Sequence, residues 1–145
     1  MKPEDCIFYQ LAKTNQVGNK VWKKAMSGFN VTAVQGMILN FLCVQDNVTS
    51  KELGDKTMLD SATLTGILDR LEKVELITRN QHPNDRRAIV ICLTKQGKEL
   101  VKETFLEAIR ANEIFLKCLN GDEQKQFRSM LQKIRDYSEQ ALAEI

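Results

Sequence analysis

Residues Leu76 to Leu93 read LITRNQHPNDRRAIVICL, and the fold follows from how this stretch divides. Leu76-Ile77-Thr78-Arg79 at one end and Ala88-Ile89-Val90-Ile91-Cys92-Leu93 at the other are strand-like. The second run is β-branched and almost uninterrupted, which suits a pleated, half-buried surface. Between them, His82-Pro83-Asn84-Asp85-Arg86-Arg87 is a turn-forming cluster that ends in two adjacent arginines. The expectation is an antiparallel hairpin with a basic tip.

Immediately ahead of it, Leu64, Ile67, Leu68 and Leu71 recur at helical spacing, with Asp60 or Ser61 as N-cap and an end near Val74. The opposite face of the first two turns is Ser61, Ala62, Thr63, Thr65 and Gly66. A helix facing only solvent would favour Glu, Lys and Gln there, which are better helix formers. Small hydrogen-bonding residues instead let the backbone approach another surface, and in a major groove Ser and Thr can reach base edges or phosphates. Such a helix followed by a basic-tipped hairpin reads as the recognition helix and wing of a winged helix, with the wing entering the minor groove.

Further upstream, Thr32-Ala33-Val34-Gln35 and Thr49-Ser50-Lys51-Glu52 both fit the capping-box pattern, opening helices through about Val44 and Lys56. The first would turn Val34, Met37, Ile38, Phe41 and Leu42 inward, and Val48 with Leu53 fits a hydrophobic staple on the second. Residues 5–29 carry a helical stripe of Ile7, Phe8, Leu11, Val21, Trp22, Ala25 and Phe29, with Gly28 placed to cap the end. Downstream, Thr94-Lys95-Gln96-Gly97 opens a long helix to about Leu119. Asn120 and Glu123 cap a last helix whose stripe runs Phe127, Met130, Leu131, Ile134, Tyr137, Ser138, Ala141, Leu142, Ile145. The expected fold is therefore mainly α with a small antiparallel β wing. A winged helix-turn-helix core at 32–94 is flanked by helical regions at 1–31 and 95–145. The flanking helices hold more apolar surface than so small a core can cover, which points to dimerisation with a second copy.

Composition restricts the function. With 145 residues, 43% hydrophobic and 28% charged, the chain reads as one ordinary globular protein. The net charge of +2 decides nothing alone, but from Arg70 to Lys95 there are 6 Lys and Arg against 3 Asp and Glu, so positive charge gathers at the hairpin. Cys6, Cys43, Cys92 and Cys118 are far apart and the single histidine is in the turn, so zinc-ligand spacing is absent. Cys43 and Cys92 read as small buried hydrophobes. No Ser/His/Asp set or Gly-rich phosphate loop is visible, so neither an enzyme nor a cofactor is expected. No apolar run is long enough for a membrane, and MKPEDC is no secretory leader, which places the protein in the cytoplasm. The rival to DNA binding is a winged helix used as a protein–protein module, which would bind without a steep salt dependence.

Several segments together resemble one family. Leu59 to Glu72 (LDSATLTGILDRLE), Leu76-Ile77-Thr78-Arg79, Asn84-Asp85-Arg86-Arg87-Ala88 and Leu93-Thr94-Lys95-Gln96-Gly97 are similar to the MarR family of bacterial transcription regulators. The order of elements agrees along essentially the whole chain. The resemblance implies a homodimer whose two winged helices read a palindromic operator in double-stranded DNA. It matches the family's wing arginine to Arg87, beside Arg86, and the acidic residue that orients it to Asp85. Ser61, Ala62, Thr63, Thr65 and Gly66 would then face bases or nearby phosphates, while Thr49, Ser50, Lys51, Arg70 and Lys73 would position phosphates.

The same resemblance implies a small-molecule effector, often phenolic or an aromatic carboxylate, between the dimer helices and the winged helix. Phe8, Tyr9, Leu11, Trp22, Met26, Met37 and Phe41 occupy that region, with Tyr9 foremost because a buried hydroxyl needs a partner. The alternative trigger is oxidation of Cys6, because one branch of the family senses organic hydroperoxides through a first-helix cysteine.

Overall fold

The computed structural model describes residues 2–143, with every side chain in that range except those of Arg86 and 138–143. The chain forms two compact units, Met1–Ala111 and Asn112–Ile145.

In the first unit a single 3₁₀ turn (Pro3–Asp5) leads into α1 (Ile7–Met26). The C-terminal third of α1 packs well. Met26 is buried, and a Cβ on Gly36 of α2 (Ala33–Val44) would meet its sulfur at 2.6 Å. Trp22 Nε1 donates to the Ala33 carbonyl at 2.8 Å, fixing α1 to the first turn of α2. The expected stripe on the N-terminal half is not covered: Ile7, Phe8 and Leu11 are exposed, Phe8 to 78%. Nor does Gly28 act as a left-handed cap, because Ser27 and Phe29 close the end with tight bonds to Lys24 and Met26.

Both capping boxes form. Thr32 Oγ1 accepts from Gln35 N while Gln35 Oε1 accepts from Thr32 N, and Thr49 and Glu52 do the same at the start of α3 (Ser50–Thr57). Along α2 the buried side chains are Ile38, Leu39 and Leu42, with Met37 and Phe41 half-buried, whereas Val34 is exposed. Cys43 is exposed too, contrary to expectation, in the last turn of α2 beside the exposed Val44; Cys92 is buried as expected. Asp60, not Ser61, caps α4 (Ser61–Lys73): its Oδ1 accepts from Thr63 N at 2.9 Å. Leu64, Leu68 and Leu71 of α4 join Ile38, Leu39, Leu42 and Leu53 in one apolar core.

The sheet has the order β1-β3-β2, all antiparallel, with β1 (Val48–Thr49), β2 (Ile77–His82) and β3 (Asp85–Leu93). The hairpin is legible in the sequence but β1 is not, being two residues long and pairing Val48 with Ile91 and Thr49 with Val90. The sequence also places Asp85, Arg86 and Arg87 in the turn. They belong to β3, where the register slips: Gln81 pairs with Ile89 but His82 with Asp85. Arg86, Arg87 and Ala88 fall between those pairs with no residue of β2 opposite, a bulge of the kind that re-aims side chains.

The strand-to-helix joint is tightly bonded. Thr94 N donates to Leu76 O at 3.1 Å, Thr94 Oγ1 donates to Glu75 O at 2.6 Å, and Gly97 N donates to Thr94 Oγ1 at 3.0 Å. These bonds start α5 (Lys95–Phe115), in which Val101, Thr104 and Ala111 are buried. Phe105, Leu106 and Ile109 are exposed. In the second unit Asn120 Oδ1 accepts from Asp122 N and Glu123 N at 3.0 Å, capping α6 (Gly121–Ala143) as its sequence indicates. Ile114, Met130, Ile134 and Tyr137 are exposed there. The final part of the expected stripe, Ser138, Ala141, Leu142 and Ile145, lies outside the described side chains.

Candidate nucleic-acid interface

Three elements carry the residues singled out for DNA contact. On α4, Ser61, Ala62, Thr63 and Thr65 are exposed and Gly66 is half-exposed. A Cβ added at Gly66 would meet nothing within 4 Å, so this face is open. Its hydroxyls are already oriented. Thr63 Oγ1 donates to Asp60 Oδ2 at 2.6 Å and Thr65 Oγ1 donates to Ser61 O at 2.8 Å, leaving acceptor lone pairs and methyl groups for an incoming surface. These bonds, the Thr63 hydroxyl first and its backbone N–H second, hold the Asp60 carboxyl below the usual carboxylate range. The anionic cap beside the positive end of α4 is thereby kept charged.

The helix-turn-helix brings α3 to this face. Ser50, Lys51, Ser61 and Thr65 line one groove of about 590 Å³, together with Asp55 and Met58. No sequence spacing marks Met58. It ends α3 in the left-handed conformation (φ 55°) and is 81% exposed, so the turn pushes a flexible thioether outward between the two helices. Thr49 is committed to its capping box, donating Oγ1–H to Glu52 Oε2 at 2.8 Å. Its backbone and side-chain bonds hold Glu52 below the usual range. Lys51, Arg70 and Lys73 are exposed.

At the wing, Asp85 Oδ1 accepts from the backbone N–H of Arg87 at 2.9 Å. The carboxylate therefore sets the path of the chain at Arg87, the residue whose guanidinium it is expected to orient. Arg87 is exposed, and the Arg86 side chain lies outside those described. His82 Nδ1 accepts from Asn84 N at 3.1 Å, closing the Pro83–Asn84 turn. Arg79, which sequence reasoning passed over, sits on β2 with its Nη2 at 2.7 Å from Asp69 Oδ1 and its Nη1 bonded to Glu72 Oε2, both on α4. Burial pulls its pKa down, but the two carboxylates outweigh that and leave it raised.

The residues suggested for an effector do not share one environment. Phe8, Tyr9 and Leu11 are exposed on α1, with Lys13 Nζ 5.6 Å from the Tyr9 ring centre. Trp22 is half-buried on its bond to Ala33, Met26 is core, and Met37 and Phe41 are half-buried on α2. Cys6 is half-buried at the N-cap of α1. Among the described residues no group of three or more His, Cys, Asp or Glu could hold a metal ion, and no helix is long and apolar enough to cross a membrane.

Comparison with known proteins agrees with this geometry. The family model for the MarR family matches residues 31–89. The organic hydroperoxide resistance transcriptional regulator of Bacillus subtilis is 33% identical over 90% of this chain and 88% of its own. The HTH-type transcriptional repressor NicR of Pseudomonas putida is 28% identical over 93% of this chain and 85% of its own. A crystal structure of a probable transcriptional regulator from Pseudomonas aeruginosa superposes with a TM-score of 0.82 at 27% identity, over 90% of this chain and 98% of that one. With its winged helix-turn-helix and this extent of similarity, the chain belongs to the MarR family: it is a DNA-binding transcriptional regulator, and not an enzyme.

Proposed function

We propose that the chain is a repressor that binds a palindromic operator as a homodimer and lets go when a small molecule, phenolic or an aromatic carboxylate, binds it. The observation that carries the DNA half is the open face of α4, small-residued and preset in its hydroxyl bonds, beside Lys51 and Ser50 of α3. Ser61, Ala62, Thr63, Thr65 and Gly66 would meet bases or nearby phosphates; Thr49, Ser50, Lys51, Arg70 and Lys73 would hold phosphates. Arg86 and Arg87, on the bulge that Asp85 shapes, would enter the minor groove. NicR, at 28% identity, is itself a repressor, which supports that direction of control.

Dimerisation through 1–31 and 95–145, leaving 32–94 for DNA, is supported by the apolar residues each unit leaves exposed. In the first unit Ile7, Phe8, Leu11, Phe105, Leu106 and Ile109 are exposed, and in the second Ile114, Met130 and Ile134 are, so each unit leaves large apolar side chains uncovered. Twofold symmetry would put half-sites roughly 10 bp apart, one helical turn. The test is a mobility shift on the promoter of the chain's own gene across a salt series. Binding should fall steeply with salt and be relieved by the effector class. Binding of proteins but not of this DNA would defeat the reading.

A second trigger is favoured by the Bacillus subtilis relative, whose name ties it to hydroperoxide resistance, and by Cys6 at the start of α1. Mass spectrometry of peroxide-treated protein, paired with DNA binding, separates the two: oxidation of Cys6 must release DNA for this trigger to hold.

A further inference from the structure

Arg79 lies on β2 between the end of α4 and the tip of the wing, and its guanidinium spans two carboxylates one turn apart on α4. Different nitrogens serve the two: Nη2 donates to Asp69 Oδ1 and Nη1 to Glu72 Oε2. The side chain is only 27% exposed. An exposed pair of flexible side chains contributes little. A planar fork gripping two anchors on one rigid helix is different, because its geometry is fixed by both.

We propose that Arg79 is a positioning residue for DNA reading, clamping the wing to the recognition helix so that Arg87 and the open face of α4 meet one duplex together. This rests on the DNA contacts assigned above. Arg79 pairs in register with Ile91, and the regular ladder ends two pairs further on, at Gln81 and Ile89. From Arg79 to the tip is three residues of strand, roughly 10 Å, so a swing of about 10° displaces the tip by roughly 2 Å, more than a hydrogen bond tolerates. The clamp also neutralises part of the charge of Asp69 and Glu72, which would otherwise repel phosphate.

The test uses the full-length protein and a duplex that it selects from a random-sequence library. Affinities are measured at one low salt concentration for the wild type, Arg79→Met, Arg87→Ala and the double variant. If Arg79 acts through the wing, Arg79→Met weakens binding roughly tenfold in the wild type but less than about twofold where Arg87 is already gone. Equal losses in both backgrounds overturn the proposal, since a direct phosphate contact or general destabilisation would be additive. Should Arg79→Met fail to fold, Asp69→Asn combined with Glu72→Gln gives an independent reading. Removing two negative charges tightens binding if electrostatics alone matters, and weakens it if the clamp sets the wing. Tighter binding overturns the proposal. A wild type that enriches no sequence overturns the DNA contacts and the clamp together, whereas specific binding with an additive cycle overturns the clamp alone.

Discussion

Replacing Gly97 with alanine tests the joint on which the winged helix is built. A Cβ at this position would fall far inside van der Waals contact with the Leu76 carbonyl oxygen and 3.0 Å from its carbon. Both atoms are backbone, so no side chain can swing aside. Relieving the overlap means moving the first turn of α5 off Leu76 by about 1 Å. That movement strains the three bonds that converge there, from Thr94 N to Leu76, from Thr94 Oγ1 to Glu75, and from Gly97 N to Thr94 Oγ1. At roughly 1 kcal/mol net for each, their loss costs about 3 kcal/mol, and the better helix propensity of alanine returns about 1 kcal/mol. The expected net loss is about 2 kcal/mol. Urea unfolding of wild type and Gly97→Ala at one protein concentration, followed by circular dichroism, reads it as a lower midpoint at unchanged slope. A midpoint at or above that of wild type would refute the steric argument.

The same substitution at Gly66 should do the reverse, since a Cβ there meets nothing within 4 Å. Gly66→Ala should raise stability by up to about 1 kcal/mol while weakening operator binding, and tighter binding would show that the α4 face does not approach DNA closely. Arg87→Ala should cost operator affinity about 1–3 kcal/mol in a titration at fixed salt, with folding unaffected. Asp60 is held below its ordinary 3.8, so its cap contributes stability fully above that value and loses it as pH falls through the lower folded-state value. The stability gap between wild type and Asp60→Ala should therefore be widest near neutrality and close in acid; a gap constant down to pH values well below 3.8 would count against the assigned bonds.

Local signals are legible in the sequence, and non-local ones are not. A capping box needs only four consecutive residues, and both Thr32–Gln35 and Thr49–Glu52 form it. The apolar spacing of α4 likewise fixed which residues face the core. Periodicity shows that one side of a helix is apolar without saying what covers it. The stripe of α1 carries both Phe8 and Trp22, yet only its Trp22 end packs within the chain, while Phe8 is exposed. Two residues have no period, so β1 was invisible until its partners on β3 were known. The placing of Arg86 and Arg87 in the turn failed because a bulge extends a strand through residues that look like loop. The role of Arg79 is hidden in the sequence for a related reason. Its partners are 7 and 10 residues away in sequence, across a backbone reversal at Glu75 (φ 59°), so no helix or strand spacing brings them together.

The joint between β3 and α5 also limits how a signal could reach DNA. Asp46, in the turn after α2, accepts with Oδ1 from Leu93 N at 2.9 Å and from Asn47 N at 3.0 Å, and pairs through Oδ2 with Lys98 at 3.3 Å. The thiol of Cys92 donates to Asn47 Oδ1 at 3.0 Å. Thr94 grips the α4–β2 reversal from the other side. The first turn of α5 is thus fastened to both loops that carry the DNA-facing elements, and bending the wing relative to α5 would break several bonds at once. Displacing the winged helix together with the first turn of α5 breaks none of them. In the proposed dimer the low-cost response to an effector is therefore a change in the distance between two rigid modules. On that proposal DNA would be released because half-sites fixed by the pitch of the duplex would no longer match that distance, while each reading head keeps its shape.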